Sequence, residues 1–136
     1  MLRERQKVVQ DKALHKGVFG YVTWTVAAEA TNAITVSGQA FDEAGNEMAE
    51  ACAFDFYWAN DSAGLTPTTT AHDGGTAAGT DGAIIEQVAN LSGLAITEAD
   101  GDIDIVATDA GAFTTYLVAV NPDGTISVSG AVTHAA

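Results

Sequence analysis

With 136 residues, 47% hydrophobic and 17% charged, the chain has the size of one globular domain that can bury a core without disulfide staples. A single cysteine excludes an intrachain disulfide and a cage of thiolate metal ligands. A net charge of −13 argues against nucleic acid and anionic membranes as partners, because neutralising phosphates takes Lys and Arg.

The first sixteen residues, MLRERQKVVQDKALHK, hold every base in the chain: Arg3, Arg5, Lys7, Lys12 and Lys16. Glu4 and Asp11 reduce this stretch to +3, and residues 17–136 carry the other sixteen acids with no Lys or Arg, for −16. Leu2, Val9 and Ala13 make too thin a stripe to hold an isolated helix in water. The pattern predicts a basic N-terminal arm over 1–16, extended or ordered only by a partner, on an acidic domain over 17–136. The start lacks the apolar run of a secretory signal, and no stretch reaches the roughly 20 apolar residues of a membrane span. A soluble protein made without export is expected.

From Gly17 the period changes to two. GVFGYVTWTV puts Val18, Val22, Trp24 and Val26 on one parity and Phe19, Tyr21, Thr23 and Thr25 on the other, which predicts a strand. NAITVSGQAF repeats it with Ile34, Val36 and Ala40 on the apolar side. Turn chemistry follows at Gly45-Asn46, and MAEACAFDFYWAN then sets Cys52, Phe54, Phe56 and Trp58 on one bulky face. Residues 60–82 are a polar, Gly/Thr-rich stretch that reads as a long loop, either a distal tip or a flexible connection, suited to mobility more than burial. AIIEQVANL, LAITEA, DIDIVAT, TTYLVAV and TISVSGAVT read as further strands, the last two joined by a tight NPDG turn at 121–124. About seven short strands with regular turns predict an all-β, antiparallel two-sheet sandwich.

Chemistry is sparse. Asp100, Asp102 and Asp104 alternate like the start of a calcium loop, but the later Glu of such a loop is missing and the run flows into a strand, so a solvated strand face is the favoured reading. His15, His72 and His134 lie far apart and none has the spacing of a helical metal pair. No nucleophile elbow is present, and Cys52 falls mid-strand where a buried, inert thiol is the default. With no base in the body to orient an anionic substrate, the chain reads as a non-enzyme without a cofactor. Trp24, Tyr57 and Trp58 are candidates for a sugar-stacking surface, against the commoner use of such rings in core or interface packing. The basic arm is the candidate partner-binding element: attraction between a cationic arm and a neighbouring acidic body suits an array of subunits, where repetition adds avidity.

Three runs also carry a resemblance: SGQAFDEAGNEMAEACAFDFYWANDSAG, GTDGAIIEQV and ITEADGDIDIVATDAGAFTTYLVAVNPDGTISVSGAVTHA. Together they span about residues 34–136 and resemble short virion proteins of tailed bacteriophages, whose Ig-like module ends in a hairpin around (N/L)PDG and a final SGA(V/I)T. The resemblance implies an Ig-like topology and non-enzymatic structural work on the virion, made in the host cytoplasm. The leading expectation is a capsid decoration (cement) protein. Its partners would be the major capsid protein and neighbouring copies of itself, with a trimer at a local symmetry axis as one arrangement. A tail or head-fibre component and a host-surface carbohydrate-binding module are the rivals.

Overall fold

The computed structural model describes residues 16–136, so Arg3, Arg5, Lys7 and Lys12 lie outside the described residues. Ten strands follow in order: β1 (Phe19–Val26), β2 (Ala33–Asp42), β3 (Ala53–Ala59), β4 (Thr76–Ala78), β5 (Ala83–Val88), β6 (Ser92–Ile96), β7 (Asp102–Thr108), β8 (Phe113–Val120), β9 (Ile126–Val128) and β10 (Val132–His134). They form two antiparallel sheets, one ordered β1-β2-β7-β4 and the other β10-β8-β3-β6-β5, with β9 also on β8. The all-β two-sheet sandwich is as the sequence predicts.

Alternation fills the space between the sheets. Ile34, Val36 and Ala40 of β2 with Ile103, Ile105 and Ala107 of β7 face Phe54, Phe56 and Trp58 of β3, Ala95 of β6, and Leu117 and Ala119 of β8. On β7 the pattern is regular: Asp102, Asp104 and Val106 look outward between buried Ile103, Ile105 and Ala107. Gly38 sits where a Cβ would come within 2.6 Å of the Trp24 ring, so the smallest residue leaves room for the largest.

Departures from simple alternation explain where sequence parity misleads. In β1 the register slips by one residue between Phe19, which pairs with Asp42, and Tyr21, which pairs with Phe41. This bulge at Gly20 turns both Phe19 and Val22 inward and leaves Val18 46% exposed, so the predicted grouping of Val18 with Val22 fails at the bulge. TISVSGAVT is likewise two strands. Ser129 Oγ accepts the Leu117 N–H at 2.8 Å and donates to Gly130 O, and one extra residue enters before Val132 pairs with Thr115.

The stretch 60–82 is not the mobile loop its composition suggests. It contains β4, which pairs with β7, and buries Thr68, His72 and Thr76. Its first part folds over the outside of β8 and β9, bringing Gly64 against Val118, Ile126 and Val128. With β4 and the split of β9 from β10 counted, the described residues hold ten strands and not about seven.

Candidate functional site

The predicted arm joins the sandwich at Lys16, which is exposed. The next residue, Gly17, donates its N–H to Asp42 Oδ2 at 2.8 Å, and Asp42 Oδ1 accepts from Ala44 N and Asn46 N. Asp42 is buried at the end of β2, and these bonds, that from Gly17 foremost, hold its carboxyl below the usual range. One carboxylate thus ties the root of the basic segment to the β2–β3 turn. Beside it a notch is lined by Gly20, Tyr21, Glu43, Asp123 and Thr125, with Tyr21 stacked on Phe41 at 5.1 Å between ring centroids. Asp42 was missed in the sequence; Asp ahead of an Ala-Gly-Asn turn, positioned to accept N–H groups two and four residues on, is the local signal that marks it.

The three aromatic candidates are not brought together. Trp58 has no exposed surface; its indole N–H donates to Thr76 Oγ1 at 3.0 Å inside the core. Tyr57 precedes it on β3 and so points to the opposite face, where its hydroxyl donates to Gly64 O. Trp24 belongs to the other sheet, edge-on to Phe54, and its indole N–H donates to Ser127 O at 3.0 Å. Trp58 is therefore corrected from surface candidate to core residue, and the three rings form no common stacking platform.

Asp102 and Asp104 do share an outward face, joined there by Asp81 in a groove with Thr23, Thr25, Ser37, Gly38 and Gln39. Asp100 turns away to accept the Asp102 N–H, closing its own turn. Burial first, then the charges of Asp100, Asp81 and Glu47, raises the Asp102 carboxyl. Among the described residues no group of three or more His, Cys, Asp or Glu side chains is arranged to hold a metal ion. Cys52 is half-buried beside Thr97, and desolvation raises its thiol, which keeps it in the weakly nucleophilic neutral form.

The hairpin at NPDG links the two sheets. Gly124 adopts φ 87° and donates to Asn121 O, while buried Asn121 accepts from Ser127 Oγ and donates to Thr125 Oγ1. Ser127 Oγ in turn accepts the Val22 N–H of β1, which covers that edge strand.

One cluster was not legible at all. His72 from the long stretch and His134 from β10 lie in the core, 2% and 1% exposed, with ring centroids 5.5 Å apart. Trp58 and Phe113 pack on His72 at 4.6 and 5.1 Å. His72 Nε2 is 3.0 Å from Thr115 Oγ1, and His134 Nε2 donates to Ala107 O at 3.1 Å. The Nδ1 atom of each ring has no hydrogen-bond partner. Burial, then the neighbouring His134, lowers His72 to about 4, against the opposite pull of Asp109 and Asp73. Both rings are enclosed in the core and pack against their neighbours there.

Compared with protein-family models, curated proteins and solved structures, the chain matches none of them.

Proposed function

We propose that the protein is a non-enzymatic structural component of a virion, a capsid decoration protein attached to the shell through its basic first sixteen residues. The single observation that carries the reading is the division of charge: five bases in residues 1–16, and sixteen acids without a Lys or Arg beyond them. The acidic charge of the sandwich opposes non-specific aggregation, while a cationic segment rooted at Asp42 supplies the attraction to an acidic surface. Many copies on one lattice would make weak individual contacts cumulative. The virion setting and the Ig-like topology are supported by the resemblance over residues 34–136. The aromatic candidates lend nothing to the carbohydrate-binding rival, since Trp24, Tyr57 and Trp58 face different ways.

The test is co-sedimentation of the full chain with empty capsid shells across a salt series. Binding that weakens as salt rises, and that disappears when Arg3, Arg5, Lys7, Lys12 and Lys16 are replaced together by Gln, supports the reading. Binding unaffected by the five replacements refutes it.

A further inference from the structure

We infer that the outer face of the six-stranded sheet is where a second copy of this chain packs. Paired residues of β3, β6 and β5 form three outward rows: Ala53–Ile96–Ala83, Asp55–Leu94–Ile85 and Tyr57–Ser92–Val88. The inward parity of the same strands, with Phe54, Phe56, Ala95 and Ile84, already supplies the core. A sheet with one face on the core ordinarily turns polar residues to water on the other, whereas these rows set only Asp55, Tyr57 and Ser92 among six apolar residues. Ile85 is 57% exposed and Val88 51%, Ala53 and Ala83 are exposed, and Leu94 and Ile96 are half-covered.

The opposite face of the sandwich obeys the rule. There Thr23, Thr25, Ser37, Gln39, Asp81, Asp102 and Asp104 give a polar, acidic surface. The two faces therefore suit different partners. A basic partner is drawn to the carboxylates of the four-stranded sheet. A second copy of a body at −16 can approach closely only where acids are scarce, and the strands of the six-stranded sheet hold just Asp55 and Glu86. Of those two, only Asp55 lies in the outward rows.

The end of the sheet extends the same patch. β5 is its last strand, and among the described residues it pairs with β6 alone, so this end of the sheet lies beside Ile85 and Val88. The remaining long edge strand, β1, is instead covered at Val22 by Ser127. A self-complementary apolar face with an adjoining open edge is what a two-fold contact between identical subunits requires. This contact uses none of residues 1–16, so it stands apart from the attachment reading, and either can fail alone.

The experiment is sedimentation equilibrium of the full chain at low and high salt, with two exposed-site variants checked for unchanged circular dichroism. The wild type should self-associate, and more tightly as salt rises from about 0.05 to 0.5 M, because screening relieves the repulsion between the bodies. Ile85→Glu should weaken association by about 100-fold or more, and Asp55→Asn should strengthen it by about threefold. A wild type that stays monomeric at high salt and near-millimolar concentration overturns the proposal. So does association untouched by Ile85→Glu, and so does a face that proves to bind only a different protein.

Discussion

His72 and His134 bring the long connecting stretch and the last strand into ring-to-ring contact at 5.5 Å, inside a core otherwise lined by Trp58, Phe113 and Thr115. Neither Nδ1 has a partner, and burial favours the neutral ring at His72. Because His72 titrates near 4 in the folded chain and near 6.5 when unfolded, the unfolded state binds the extra proton between those values. Stability from this residue is complete above about 6.5 and falls as pH drops toward 4, by about 3 kcal/mol. Urea midpoints measured between pH 7.5 and 4 should decline, and His72→Gln should flatten that slope. Below 3.8 the depressed carboxyls of Asp42, Asp109 and Asp123 lose their own contributions, while raised Asp102 acts with the opposite sign just above it.

Neighbouring Tyr57 and Trp58 should respond very differently to truncation. Trp58→Ala removes a fully buried ring and its indole N–H bond to Thr76 Oγ1, at a cost of about 3–5 kcal/mol, a large fraction of the stability of a domain this size. Tyr57→Phe removes one hydrogen bond to Gly64 O at the surface and should cost about 1 kcal/mol. Equilibrium denaturation of the two variants reads this difference directly.

Salt should stabilise the sandwich itself. From residue 17 onward no Lys or Arg exists to pair with sixteen acids, and Asp81, Asp102 and Asp104 crowd one face. Raising ionic strength shortens the range of that repulsion, so the melting temperature should climb between about 0.05 and 0.5 M sodium chloride. A melting temperature that falls over this range would show that ion pairing, and not repulsion, dominates the electrostatics.

Period-two patterning made β2, β3 and β7 legible, because each has one face in the core and the other turned outward; DIDIVAT matches Asp102–Thr108 end to end. What escaped was set by tertiary contact. The bulge at Gly20 depends on the register against Phe41 and Asp42, and the burial of His72 depends on meeting β10. The polar composition of 60–82 hid β4, whose three residues pair with β7 although little around them is apolar. Of the candidate site, the charge division is read from sequence alone, whereas the Gly17–Asp42 bond at its root and the separation of Trp24, Tyr57 and Trp58 needed coordinates.

The charge division also supplies its own most direct test. Trypsin cleaves after Lys and Arg, so within this sequence it can cut only in residues 1–16 and can leave an uninterrupted product beginning at Gly17. Intact and trypsin-trimmed protein, matched by mass and by circular dichroism, would be compared for binding to empty capsid shells by co-sedimentation. Attachment through the basic segment predicts that the intact chain pellets with the shells and the trimmed sandwich stays in solution. Equal pelleting of both would contradict it.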